Sequence, residues 1–510
     1  MAIGPDPKGA FVALNRFAFG ARGGAFDLAR AASDPRGFLK AELQQPAITQ
    51  LNASTLPPTK IALQAVFIEQ QQKKMERENV VAGKTPGAAV TSVSTDDAHR
   101  LAAGKVDAPS SDETMGATGS QSMATAGSPA PTGVPKPAEP PIAQKFLRAD
   151  AMARFRCAAH ADVGFAERLV HFWSNHFCVS VAKGPNVRAI AGSFEREAIR
   201  PHVLDRFADM LKAVEQHPAM LFYLDNAQSF GPNSKAGQNR KRGLNENLAR
   251  EILELHTLGV DGGYTQADVT SLARILTGWT FAGGEGRLAE PGTFVFFGNA
   301  HEPGDQALMG KVYPAGGMEQ GETALSDLAR HPATAQHIAR KLARHFVADN
   351  PPGSLVARLA TAFRDTDGDL KSVTIALVDS DEAWTAPLSK MRTPEEFMMA
   401  ALRAIDRMPD DPGPILGPLA AMGMPLWQPP GPNGWPDTVD AWASPEGMKS
   451  RLDASAAMAA RLKNLINPSE LLDTVAGEAA STETRQAVAR AESRQQGLAM
   501  LFMSPEFQRR

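Results

Sequence analysis

Between about Asn79 and Pro141 the chain changes character. The stretch "GATGSQSMATAGSPAPTGVPKPAEPP" is built from Gly, Ser, Ala, Thr and Pro, without an aromatic residue and almost without large aliphatics. Such a segment cannot bury enough apolar surface to offset the entropy lost on ordering it. Residues 79–142 are therefore expected to be a disordered insertion, and the fold must be assembled from what flanks them. The first 78 residues look thin for an independent core. They read as N-terminal helices of a main body that resumes at 143 and continues to 510. A linker between two separate domains is the alternative.

The flanking sequence is helical in pattern. "AFVALNRFAFGA", "KIALQAVFIEQQQKKMERE", "TQADVTSLARILTGWTF" and "PATAQHIARKLARHFVAD" repeat apolar residues at three- and four-residue spacing. The pattern breaks at Pro291, where "TFVFF", a β-branched and aromatic run, is followed by turn residues. The expected fold is mainly α: a multi-helix single body with a small β-hairpin element near residues 293–313 and the disordered insertion.

A formal charge of -3 with scattered basic residues offers no electrostatic basis for nucleic-acid or anionic-membrane binding. No run of about 18 apolar residues marks a membrane span. The N-terminus lacks a basic segment followed by an apolar core. The expected compartment is the cytoplasm, with export beside a signal-bearing partner, to the periplasm or envelope, as the alternative. Cys157 and Cys178 make no metal-ligand spacing and read as buried thiols.

The polar groups most suggestive of chemistry lie in "GLNENLAREILELHTLGVDGGY". On a helical wheel Leu244, Leu248, Ile252, Leu255 and Gly259 share an arc of about 80°. Glu251 falls in or beside that arc, flanked by Asn247 and Glu254 on one side and His256 on the other. Leu253 points away. A carboxylate on a packing stripe must be paired, protonated or metal-bound. Two readings stay open: an ion-pair network involving Arg250, or a metal or acid–base site using Asn247, Glu251 and Glu254.

In "ERLVHFWSNHFCVS", His171 and His176 are five residues apart, about 140° on a helix, which is not the spacing of a zinc-protease helix. His176 shares a face with Phe165, Leu169 and Phe172, and His171 shares one with Asn175. Each is a core histidine or a metal or acid–base group. In the helix containing Lys341, Ile338, Leu342 and Phe346 form a buried stripe. His337, Arg340, Lys341, Arg344 and His345 form a cationic face, either solvated or facing an anionic substrate. "GNAHEPGD" sets His301, Glu302 and Asp305 in a loop, a polar turn or a weak metal site. The candidate set is thus His171, His176 and Glu251 for catalysis, and Asn247, His256, Lys341 and His345 for substrate. Glu251, Glu254, His176 and His301 are candidates for a divalent metal. No Walker A loop, dinucleotide fingerprint, H-E-x-x-H, or G-x-S-x-G elbow is present.

"ALNRFAFGAR", "VHFWSNHFCVS", "EQHPAMLFYLDNAQS", "NENLAREILELHTLGVDGGYTQADVTSLARILTGW", "HIARKLARHFVAD" and "SPEFQRR" occur in that order. Together they resemble the bacterial domain of unknown function 1800 family, from about Ala10 to the C-terminus apart from the insertion. The resemblance implies no reaction. It implies proteins that are often exported and often encoded beside a protein of sulfatase/phosphatase-like fold. This chain departs from the exported pattern in lacking a signal peptide. Two functional expectations follow: an enzyme with a His/Glu/Asn polar site on facing helices, with or without a metal, hydrolysing or oxidising an envelope-related substrate; or a non-catalytic partner or maturation factor for the sulfatase/phosphatase-like protein.

Overall fold

The computed structural model describes residues 5–24, 26–81, 139–240 and 243–510. Residues 82–138, which carry most of the expected insertion, lie outside the described residues. The protein is mainly α-helical. Its described β structure is two antiparallel two-stranded sheets, β1 (Trp279–Phe281) with β2 (Phe294–Phe296), and β3 (Gln306–Leu308) with β4 (Lys311–Tyr313). The "TFVFF" run supplies β2, and the β3–β4 hairpin follows within the expected interval. Among the described residues no helix is long and apolar enough to cross a membrane.

The N-terminal segment packs into the body through both apolar and polar contacts. Phe17, Leu39, Leu43, Ile61 and Val66 share a core cluster with Phe165, Leu169, Phe172 and Phe346. The helix Phe165–His176 begins at Gly164 in a left-handed conformation and has no side-chain cap of its own. Glu42, from the helix Pro35–Leu43, reaches across instead. Its carboxylate accepts the N–H groups of Gly164 and Phe165 at 2.9 Å and of Ala166 at 3.0 Å. Three of the four orphan donors of that helix start are satisfied by a residue more than a hundred positions upstream.

A second core cluster is built by Phe397, Leu419, Leu472, Leu498, Leu501 and Phe502, with Phe11, Phe19 and Phe155 joining from the N-terminal half. Helices of the first cluster meet helices of the second along a seam, and the charged residues gather there.

The stretch that begins at Asn247 departs from a regular helical wheel. Asn247–Glu251 is α-helical, but Ile252–His256 continues as a π-turn. The wider turn rotates everything after Glu251. Leu253, expected to point outward, is fully buried, and so is His256. Asn247 is exposed, while Glu251, Glu254 and Leu255 are half-buried. The element ends at His256, and the chain turns away at Gly259, whose φ of +85° suits glycine and where a Cβ would sit 2.8 Å from His337 Nδ1.

Candidate functional site: a two-chambered cleft on a buried charged seam

The seam is an extended network of buried ion pairs. Arg154 donates from Nε to Glu195 Oε2 at 2.6 Å and from Nη1 to Glu395. Arg200 bonds Glu195 Oε1 at 3.0 Å and takes Glu167 in a two-pronged grip at 2.7 and 2.9 Å. Glu396 lies between Arg168 Nη2 at 2.8 Å and Arg510 Nε at 2.7 Å, and it also closes the capping box with Thr393 at the start of the helix Pro394–Ile405. Burial alone would raise the Glu396 pKa, but Arg168, Arg510 and His345 outweigh it and hold it at about 2. Each charge is desolvated, so the seam is tolerable only because every member is paired.

Above this network the Trp/Pro loop folds back onto the helix Phe165–His176. Asn175 Nδ2 donates to Trp435 O at 2.9 Å and its Oδ1 accepts Trp435 N–H at 2.7 Å, which imitates a strand pairing. Gly434 allows this approach, since a Cβ there would lie 2.4 Å from Asn175 O. Lys390 Nζ ties the loop from the other side, donating to Asp437 O at 2.7 Å and Asp349 Oδ1 at 2.8 Å. Trp435 and Trp442 pack with Met391 and Met424.

The loop encloses two adjoining chambers that share Asn175, His345, Trp435, Pro436 and Asp437. The first, about 70 Å³, is also lined by Arg154, His171, Ser174, Cys178 and Glu395. The second, about 350 Å³, is also lined by Phe172, His176, Leu255, His337, Lys341 and Arg344.

His345 sits on the shared wall with a fixed protonation pattern. Arg168 Nε–H donates to His345 Nε2 at 3.2 Å, so Nδ1 carries the proton and donates to Asp437 Oδ2 at 2.8 Å. Burial pulls the His345 pKa down to about 4 despite Asp437. Asp437 stays ionised, because His345, Arg510 and Lys390 together outweigh its burial and hold it well below the carboxylate range. His345 therefore has no free lone pair and acts as a strut.

His171 is the opposite case. It is 8% exposed, and among the described residues neither ring nitrogen has a hydrogen-bond partner. Its Nδ1 is 3.7 Å from Glu395 Oε2, beyond hydrogen-bond length. Burial, then the charges of Arg154, Arg200 and Arg168, keep its pKa well below the ordinary value, so the ring is neutral. Burial raises the pKa of neighbouring Glu395, an effect Arg154 only partly offsets.

Of the sequence candidates, His171, His176, Lys341 and His345 line the cleft, while Glu251, Asn247, Glu254 and His256 line neither chamber. Glu251 pairs with no arginine. Its carboxyl has no hydrogen-bond or ion-pair partner among the described residues, and burial followed by the nearby Glu254 charge raises its pKa. Arg250 instead bonds Glu246 and Gln266. Glu254 accepts the Tyr264 hydroxyl at 3.3 Å. His256 is locked to Glu215 at 2.7 Å and offers its carbonyl to His176 Nε2 at 3.2 Å. His301 lies beside Phe296, its Nδ1 on Thr277 O at 2.9 Å, and Glu302 is held by Asn233. Among the described residues no three His, Cys, Asp or Glu side chains are grouped to hold a metal ion, so the candidate metal set is not assembled as one. Cys178 is buried and Cys157 half-buried, both free thiols pushed up to about 12 by burial.

Arg154, Glu395, Asn175 and Asp437 complete the cleft and were not candidates from sequence. The capping-box pattern "TPEEF" announces a helix start, but nothing in it tells that Glu395 faces a cavity. "NGWPD" marks a turn without naming the carboxylate that orients His345.

These features describe a mainly helical protein with a polar cleft roofed by a Trp/Pro loop over a buried ion-pair seam. The chain matches, over residues 12–509, the family described as a protein of unknown function (DUF1800). It belongs to that family. No curated protein and no solved structure matches it.

Proposed function

We propose that the chain is an enzyme that performs acid–base chemistry at His171 in the smaller chamber. The observation that supports this most is a buried, neutral imidazole with both nitrogens unspent, in a cavity that also holds Glu395. A buried histidine kept for structure ordinarily has a partner at one nitrogen or both. An unprotonated ring beside a carboxyl of raised pKa can take a proton from a bound water or hydroxyl and return it. Glu395 stands on the Nδ1 side, where it would receive Nδ1–H and stabilise the imidazolium as it forms. Nε2 is then the base. Arg154 fixes Glu395, and the Asp437–His345–Arg168 chain fixes the shared wall.

The smaller chamber, about 70 Å³, is the tighter of the two and takes a small reacting group. The body of a substrate belongs in the larger chamber. A partner role beside a sulfatase/phosphatase-like protein would use the Trp/Pro loop as a docking surface. The inward packing of its tryptophans favours the enzyme reading.

NMR of the imidazole nitrogens tests the protonation state without a reagent having to enter the chamber. At about pH 5.5, a pH at which ordinary histidines are mostly protonated, the His171 ring should still give the nitrogen signals of a neutral imidazole. A chromogenic panel of carboxylic, phosphoric and sulfuric esters should lose any turnover in H171Q at unchanged circular dichroism. A His171 ring that is protonated at that pH, or turnover that survives H171Q, rejects the assignment.

A further inference from the structure

The larger chamber has a chemistry of its own. Lys341 lines it, half-buried, and among the described residues its Nζ has neither a hydrogen-bond nor an ion-pair partner. The carboxylate that lines this chamber is spoken for: Asp437 is engaged by His345, Lys390 and Arg510. Arg344, also on the wall, is tied among the described residues only through Nε to Asp349 O. A desolvated cation without a counter-ion is costly.

His176 supplies a second, independent feature. It is 2% exposed, and its Nε2–H is spent on His256 O at 3.2 Å. The other nitrogen, Nδ1, is therefore a lone pair, and among the described residues it has no partner. Burial and the Lys341 charge keep the ring neutral. The chamber thus offers an ammonium that needs an anion and a buried acceptor that needs a proton donor. A metal cation would satisfy His176 but would meet the Lys341 and Arg344 charges. A carboxylate or sulfate would satisfy Lys341 but brings no proton for His176.

We infer that the larger chamber binds a phosphate group, its anionic oxygen on Lys341 and its P–OH directed to His176 Nδ1. Phosphate is the common anion that carries both a charge and an acidic hydroxyl, as the monoanion populated around its second pKa of about 6. Phe172, Leu255, Trp435 and Pro436 would flank the apolar or ring-bearing part of the same ligand. The inference deepens the enzyme reading, on which it rests for its substrate class: a phosphorylated molecule whose reacting end enters the smaller chamber.

Calorimetric titration of the full chain with inorganic phosphate, sulfate and phenyl phosphate at about pH 6, where the monoanion that keeps a P–OH is well populated, tests it. Phosphate and phenyl phosphate should saturate, with sulfate weaker by about tenfold, and K341M should weaken phosphate by about tenfold or more. Lys341 is half-buried and unpaired, so K341M strands no partner, and its melting temperature serves as the folding control. H171Q should bind phosphate as the parent does. Turnover abolished by H171Q with no phosphate binding rejects the phosphate site alone. Phosphate binding with turnover that survives H171Q rejects the catalytic assignment alone. Sulfate as tight as phosphate, binding unchanged in K341M, or no saturation by about 20 mM phosphate each overturns the inference.

Discussion

Replacing Glu396 with glutamine should destabilise the protein by about 3 kcal/mol at neutral pH. The carboxyl stands at about 2 in the fold against an ordinary 4.5. At about 1.4 kcal/mol per tenfold change in proton affinity, that difference is worth roughly 3 kcal/mol. Removing one partner of a buried ion pair points to the same size, about 3–5 kcal/mol, because the other partner is left unpaired. Here Arg168 would keep Ala18 O and His345, and Arg510 would keep His345 O and Asp437. The lower end of that range is therefore expected.

The unfolding entropy of a chain this long is about 1 kcal/mol per kelvin, so a single transition should move down by about 3 °C. Should the two cores melt separately, the C-terminal core, which holds the helix Pro394–Ile405, carries the larger displacement. The pH dependence is diagnostic. A carboxyl with a depressed folded pKa stabilises the fold fully above its unfolded value, and the effect fades as pH falls from about 4.5 toward 2. The gap between parent and E396Q should hold from pH 7 to 5 and narrow below 4.5. Scanning calorimetry of both proteins at pH 7, 5, 4 and 3 measures it. A displacement under about 1 °C at pH 7, or a gap that widens on acidification, would refute the account of the seam.

Asn175→Ala removes two hydrogen bonds from the loop. At about 1 kcal/mol each, amide exchange at Trp435 should accelerate by about thirtyfold, as hydrogen–deuterium exchange would show; unchanged protection would mean the loop is held elsewhere. Gly259→Ala places a Cβ against the His337 ring at a positive φ and should cost about 2 kcal/mol, lowering the melting temperature by roughly 2 °C. His337 is held to about 4 by burial and then by Lys341. It should titrate by NMR near pH 4, and its contribution to stability should be complete above about 6.5 and decline as pH falls toward 4. A titration near 6.5 would show that the ring is solvated. Glu251→Ala strands no partner and should change stability by less than about 1 kcal/mol, whereas a large loss would reveal a counter-ion that the structure does not contain.

What could be read from the sequence followed apolar periodicity. Ile338, Leu342 and Phe346 form the buried stripe that their spacing predicts, and the cationic face beside them contributes Lys341 and His345 to the cleft. The aromatic run after Pro291 became a strand for the reason its composition suggested. The stretch from Asn247 was harder, because a wheel at constant pitch cannot foresee a π-turn. One wide turn was enough to bury Leu253 and His256 and to leave Glu251 at the margin of the packing face.

The seam was illegible for a different reason. Arg154, Arg168, Arg200, Arg392, Arg451 and Arg510 are all buried, yet each sits in sequence that reads as a solvated helix face or chain end. Local pattern assigns arginine to water, and only tertiary pairing reverses that assignment. The two histidines of "VHFWSNHF" carry part of the missing information. Five residues apart, they diverge by about 140°, so a continuous helix cannot turn both toward one ligand. The helix Phe165–His176 is continuous through both, and His171 faces the smaller chamber while His176 faces the larger. Their spacing argued against a shared metal. It is also the spacing needed to serve two ends of one bound molecule, with proton transfer at one and recognition at the other.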